Sequence, residues 1–372
     1  MSKSVKIVFC VFGTIILLMI GSIFLFKIQL VPKNYPNNTQ FTIEQGTYGK
    51  QVFQDLEDQG IIRNADVDYL YIHYLSGVPI DFKAGTFELP AGLTLEEIVT
   101  TLSDDSKFYR PTVTLTITEG EFLKDIAQTI SNNLDIDKDE LLEYWNDEST
   151  IRGYMSEYPF LTEQIFNDDI RYCLEGYMFP STYEFYINSS ADEITRRFLD
   201  QTLSIYNKYK DDFDNTTVYY HYETNDDRKA TIHEIFTMAS ILEWESGNDE
   251  QMPEVASVFY NRLNYKPIDM LRSSVTTCYS LGLDKDACLL VDRDLELAYT
   301  EDNETYNTYT KYGLPIGPIS NPGETAIYSA LHPAETDYYY FVGDICGIDG
   351  KTHFSTVQEG NEAISKKYVS CQ

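Results

Sequence analysis

Two glutamates, Glu243 and Glu245, stand near the end of an apolar stretch with helical spacing, TIHEIFTMASILEWESG. Ile232, Ile235, Phe236, Ala239 and Leu242 recur at the three/four spacing of one helix face, and Glu243 is next on that stripe. A carboxyl on an apolar face is costly unless it is paired or protonated. Glu245 points about 160° away around the helix, because residues two apart do not share a face. Gly247 offers a C-cap. Both carboxyls then lie at the negative end of the helix dipole, which favours the protonated acid. An acid that holds its proton near neutral pH is what general-acid cleavage of a glycosidic bond requires. The same spacing fits a second reading, a buried Glu in a structural hydrogen bond beside an exposed, solvated one. On burial alone, Glu243 is the more perturbed of the two.

The chain around this helix has 372 residues, enough for two domains beyond an anchor, and a formal net charge of −31. No basic stripe supplies phosphate contacts, so nucleic acid is not an expected partner. Val5 to Phe26 is an apolar run with one charge, Lys6, at its edge, and is long enough to cross a bilayer core. No small-residue cleavage site follows it, so a retained anchor is expected, with everything after residue 27 outside the membrane. Of 6 cysteines, Cys10 lies in this run. The remaining Cys173, Cys278, Cys288, Cys346 and Cys371 are odd in number, which excludes a complete intrachain framework. Candidate pairs are Cys278–Cys288 and Cys346–Cys371. No CxxC or Cys/His spacing suggests zinc. Among the histidines (His73, His221, His233, His332, His353), only His332 invites a role beyond packing or surface.

A weak repeat runs through the first third: FTIEQGTYGKQVFQDL, FELPAGLTLEEIVTTL and LTITEGEFLKDIAQTI. Each is a β-prone run, a glycine (Gly46, Gly92, Gly120), then apolar residues six and ten positions on. The pattern predicts strand, tight turn and amphipathic helix. Such units resemble LysM-type modules, which bind aminosugar polymers; ordinary α+β packing fits as well. The expected organisation is a cytoplasmic tail over 1–4, a transmembrane helix over 5–27, a linker over 28–38, a LysM-like lobe over 39–108 and a larger α+β catalytic domain over 109–372. Residues 190–208 read as an amphipathic helix, and 211–228 as a surface loop or hairpin. A second helix, VASVFYNRL, follows Pro253. Short strands and turns are expected beyond Leu271.

Several segments together resemble one family, the endolytic murein transglycosylases (YceG-like). MASILEWES followed by EVASVFYNRL resembles its M-A-S-I-[IV]-E-x-E … V-A-x-V-F-x-N-R-L pattern. TYNTYTKYGLPIGPISNPG, HPAETDYYYFV and THFSTVQEGN resemble three later blocks, and LEGYMFPSTYEF and DFKAGTFELPAGLTLEEIVTTL two earlier ones. They occur in order over about residues 40–365, behind an apolar segment as in the family.

The resemblance implies a single-pass membrane enzyme, N-terminus cytoplasmic and catalytic region extracytoplasmic. It would cut peptidoglycan glycan strands internally, between N-acetylmuramic acid and N-acetylglucosamine, beside wall-synthesis proteins. It moves the acid/base to the second glutamate of the pair, Glu245. That one carboxyl first protonates the glycosidic oxygen. It then takes the proton of the muramoyl C6 hydroxyl as this closes on C1, giving a 1,6-anhydro end without water. Two-carboxylate hydrolases differ, since a second carboxylate there activates water or attacks the sugar. No metal or cofactor is implied. Glu243 becomes a supporting or substrate-contacting carboxyl that could hold Arg262 in place; Asn261 and Arg262 support the Glu helix. Tyr306, Asn307, Thr308 and Tyr309 either line the cleft or form a turn locked by Asn hydrogen bonds. His332 is a cap or a cleft residue.

The segment LRSSVTTCY departs from the family's L-Q-[ST]-D-P-T-V-x-Y: Arg272 stands for Gln, Ser274 for Asp and Val275 for Pro. Ser181 replaces the Asp of F-P-D-T, and Gly360 stands where the family often has His. An active lytic transglycosylase is the first expectation. A catalytically weakened, membrane-anchored glycan-binding scaffold is the alternative that these departures favour.

Overall fold

The computed structural model describes residues 30–216, 218–220, 228–264, 270–283, 287–288 and 305–370, with Thr14, Met19, Gly21 and Ile28. The expected tail over 1–4 and, those isolated positions apart, the span over 5–27 lie outside the described residues. Among the described residues no helix is long and apolar enough to cross a membrane. The chain is mixed α+β and divides into two compact units, Met1–Pro111 and Thr112–Gln372.

In the first unit β1 (Thr39–Ile43) leads to α1 (Gly49–Asp58), α2 (Ala65–Tyr71), β2 (Gly85–Leu89) and α3 (Leu95–Leu102). The two strands pair antiparallel, with Phe41 opposite Phe87. Phe41, Val52, Leu56, Phe87, Ile98 and Leu102 form the core between the strands and the helices. The apolar positions six and ten beyond each glycine are thus the buried ones. Tyr35, within the stretch read as a linker, is buried and donates its hydroxyl to the Pro90 carbonyl at 2.8 Å.

The second unit opens with β3 (Thr112–Thr116), α4 (Leu123–Ser131), α5 (Lys138–Tyr144) and α6 (Glu148–Tyr154) before β4 (Thr182–Tyr186) returns antiparallel to β3. The strand–turn–helix repeat is realised three times, with φ of +87° at Gly46, +88° at Gly92 and +79° at Gly120. A side chain at these turns would strain the left-handed backbone. The long α7 (Ala191–Lys208) starts at a capping box of Ser190 and Glu193. The short α8 (Lys210–Asp214) and the strand pair β5 (Tyr219–Tyr220) and β6 (Arg228–Lys229) follow, in the region read as a hairpin.

Then come α9 (Ile232–Glu245), α10 (Met252–Leu263), α11 (Ser274–Ser280), α12 (Glu324–Leu331), the pair β7 (Tyr340–Gly343) and β8 (Thr352–Ser355), and α13 (Gln358–Tyr368). Helix α9 carries the glutamates. Thr231 and Glu234 form its capping box, and Arg228 grips Glu234 at 2.6 and 2.8 Å. Every residue from His233 to Leu242 is buried, so the expected single apolar face is wrong: polar residues on the other faces are covered too. Thr237 and Ser240 make this possible by donating back to the helix carbonyls of His233 and Thr237. Packing by α10, α11 and α12 closes the rest. Ser246, in extended conformation, caps the helix, and Gly247 does not.

Beyond Leu271 the chain forms α11, where strands and turns were expected; tertiary burial of Val275, Thr276 and Thr277 outweighs their β preference. Cys278 in α11 is bonded to Cys288. Cys346 is also disulfide-bonded, and Cys371 lies outside the described residues.

The loop between α6 and β4 packs tightly on the segment before α12. Gly176 has φ of +85°, and a Cβ there would stand 2.3 Å from Pro318 Cβ. Gly176→Ala is expected to destabilise the second unit by about 2–4 kcal/mol, combining backbone strain with overpacking. A denaturant midpoint for G176A within error of the unmutated protein would refute this.

Candidate active site

Three consecutive side chains at the end of α9 are tied to three different segments. Glu243 Oε2 accepts the backbone N–H of Gly323 at 3.0 Å. Gly323 is the N-cap of α12, so the carboxylate sits at a positive helix end. Trp244 donates its indole N–H to the Gly120 carbonyl at 2.9 Å and stacks on Phe122 at 4.9 Å between centroids. Glu245 Oε1 accepts the Ser273 hydroxyl at 2.6 Å. All three side chains are half-buried.

The contact at Glu245 belongs to a short hydroxyl chain. Ser273 receives support from Thr308, whose Oγ1 accepts the Ser273 N–H at 3.0 Å, and the Thr308 carbonyl accepts the Arg272 N–H at 3.1 Å. Thr276 and Thr308 share a hydrogen bond at 3.0 Å. Ser273, Thr276 and Thr308 are buried. Arg262, on α10, donates to the carbonyls of Tyr339 at 2.7 Å and Leu271 at 2.6 Å. Burial pulls this guanidinium below its ordinary value; Glu245, Tyr309 and Tyr340 oppose that, and Arg272 adds to it. Arg262 thus pairs electrostatically with Glu245, and Glu243 is held at Gly323 instead. The helix end opposes negative charge on Glu245, while the Ser273 hydroxyl and Arg262 favour it.

Of the residues read from sequence, Glu245, Arg262, Arg272, Thr308 and Tyr309 come together. Ser274 begins α11, one residue beyond the Ser273 contact. Asn307 is buried, and its Oδ1 accepts the Tyr309 N–H at 3.0 Å, the locked-turn alternative. Tyr306 packs edge-on to Tyr279, and its hydroxyl accepts the Arg171 N–H at 3.3 Å. Asn261 donates to the carbonyls of Thr336 and Tyr338 at 3.0 and 2.9 Å. His332 caps α12 and faces Asp212 at 3.4 Å. Asn261 and His332 line an open depression of about 800 Å³ that neither Glu243 nor Glu245 lines. His233 is a packing histidine: its Nδ1 faces the Tyr177 hydroxyl at 2.8 Å and its Nε2 the Ile316 carbonyl at 3.0 Å, and burial lowers its pKa. No cluster of metal-ligating side chains occurs among the described residues.

Sequence reasoning missed Ser273, although it matches the [ST] of the family pattern between two departures. It also missed Glu175, a fully buried carboxyl in the LEGYMFP block. Its Oε1 accepts the Leu123 N–H at 2.9 Å and the Asn321 amide at 3.2 Å, and Tyr279 Oη lies 3.1 Å from Oε2. Burial, outweighing those hydrogen bonds, pushes its pKa up to about 8. Asn321 in turn takes the Gly120 N–H on its carbonyl at 2.9 Å, so Glu175 supports the turn that holds Trp244.

The family model of the YceG-like family matches residues 41–366, and the chain belongs to that family. It is 32% identical to an endolytic murein transglycosylase of Bacillus subtilis, over 95% of this chain and 92% of that one. It is 29% identical to an endolytic murein transglycosylase of Streptococcus pneumoniae, over 88% of this chain and 58% of the longer relative. A solved yceG-like protein of Listeria monocytogenes superposes with a TM-score of 0.56 at 28% identity, covering 88% of this chain and 99% of that one.

Proposed function

We propose that this chain is an endolytic murein transglycosylase that cuts glycan strands between N-acetylmuramic acid and N-acetylglucosamine, leaving 1,6-anhydro ends and limiting strand length. The observation that carries this reading is the Glu245–Ser273 contact at the end of the buried helix α9, within a chain similar over nearly its whole length to a relative of that name. Glu245 is the single acid/base. It protonates the leaving glycosidic oxygen as the C1–O bond breaks, then accepts the C6 hydroxyl proton as the C6 oxygen bonds to C1. Carbon, oxygen and proton balance without water or cofactor. Arg262 steadies the carboxylate between the two steps.

The first unit is read as a LysM-like glycan-binding lobe, supported by its two antiparallel strands enclosing two helices. Residues 5–27 are read as a membrane anchor with the catalytic unit outside the cytoplasm, supported by their apolar sequence. Wall-synthesis proteins are proposed neighbours. The test is to incubate the full chain, in detergent, with purified glycan strands and analyse the products by mass spectrometry. Anhydromuramoyl ends are expected; reducing muramic acid ends would indicate hydrolysis and overturn the non-hydrolytic mechanism, and intact strands would overturn the enzyme.

A further inference from the structure

Arg272 is an exposed arginine held in the left-handed region, with φ of +53°. Among the described residues only Asn38 shares that feature outside glycine. For a long side chain this conformation costs on the order of 1 kcal/mol, and such strain persists where the surroundings impose it. Here they do: the Arg272 N–H is bonded to the Thr308 carbonyl, the next N–H to the Thr308 hydroxyl, and the next hydroxyl to Glu245. The backbone that seats Ser273 against the acid therefore also fixes where Arg272 emerges. Arg262, the cation whose charge interacts with Glu245, is buried and donates to two carbonyls. Arg272 instead presents its guanidinium to solvent, on a chain of net charge −31 that repels anions.

From this geometry we infer that Arg272 is a specificity-determining residue that binds a carboxylate carried by the lactyl group of the muramoyl unit at the cut. This rests on the glycan-cleaving reading above. The scissile bond leaves muramoyl C1, and the lactyl substituent is on C3 of the same ring, so a long side chain that emerges one residue from the Ser273 that touches Glu245 is placed to meet it. A planar guanidinium suits a carboxylate, bonding both oxygens at once. The carboxylate is either the bare lactyl group or a member of the stem peptide attached to it.

Three substrates separate these sources: strands with stem peptides, strands stripped to the free lactyl carboxylate, and stripped strands whose lactyl carboxylates have been converted to amides. For Arg272→Gln, kcat/KM on carboxylate-bearing strands relative to amidated strands is expected to fall about tenfold, mainly through KM. Loss confined to peptide-bearing strands assigns the stem peptide; loss on stripped strands as well assigns the lactyl group. Arg272→Gly, which suits the left-handed backbone, is expected to unfold at the same or a higher temperature and to show the same shift in preference. An equal effect on charged and amidated strands, or none on any, overturns the inference. Should the unmutated chain form no anhydro ends at all, co-sedimentation of the same three strands with the full chain and with R272Q still decides it. Retained discrimination in R272Q refutes carboxylate binding independently of the enzyme reading.

Discussion

Glu245→Gln is expected to reduce formation of 1,6-anhydro ends by at least about 10³-fold, with little change in strand binding. The amide preserves size and can still accept the Ser273 hydroxyl, but it has no proton to give to a glycosidic oxygen and cannot take one from the C6 hydroxyl. In the proposed mechanism one group serves both steps, so no second carboxylate compensates. Ser273→Ala is expected to act in the same direction and more weakly, by about tenfold, since it removes one hydrogen bond from the carboxyl. Steady-state kinetics on a defined strand read both variants. Glu245→Gln retaining more than a hundredth of the activity would move the acid elsewhere. Glu243→Gln is the informative contrast, because Glu243 holds Gly323 at the start of α12 and its loss should appear in stability before it appears in kcat.

The second large effect concerns Glu175. Its pKa is raised from 4.5 to about 8 in the folded protein by burial. Between those values the folded state holds a proton that the unfolded chain releases. The stability this represents is fully present below about pH 4.5 and is lost as pH rises through 8, at up to about 1.4 kcal/mol per pH unit. Glu175→Gln mimics the neutral acid. Its carbonyl accepts from Leu123 and Asn321, and its amide donates to the Tyr279 oxygen. The variant is therefore expected to match the unmutated protein near pH 5, to be more stable by a few kcal/mol near pH 8, and to lose that slope between them. Urea titrations across this range check it; parallel pH profiles would show that Glu175 ionises normally. Glu175→Ala should destabilise at every pH, because it leaves the buried Leu123 N–H without its acceptor and removes one of the two acceptors of the Asn321 amide.

The repeat of the first third was legible because its physics is local. A glycine at positive φ and apolar residues six and ten further on specify a strand, a turn and the buried side of a helix wherever they occur. The helix of Glu243 and Glu245 was legible for the same reason, as was the Cys278–Cys288 pair, close enough in sequence to be one of the few options. The orientation of the two carboxyls was not. An apolar stripe ranks Glu243 as the perturbed acid only if the other faces meet water, and around α9 they meet α10, α11 and α12. Likewise α11 replaced expected strands because burial overrode β-branched propensity. Tyr306 and Asn307, adjacent to Thr308 in sequence, serve packing and a turn, while Thr308 reaches the site through its hydroxyl; spacing does not distinguish them.

By itself, then, the amino-acid sequence determined the strand–turn–helix units, the helix that ends in two carboxyls, and, through ordered motifs, the family. What each carboxyl is bonded to was decided only by tertiary contacts more than about 25 residues away along the chain: Gly323 for Glu243, and Ser273 for Glu245. Those contacts depend on where separate segments pack, and a hydrogen bond of under 3.5 Å has no counterpart in periodicity. The same holds for Arg272, whose backbone twist is imposed by Thr308 from a different loop, and for Glu175, whose proton is set by burial that no neighbouring residue announces.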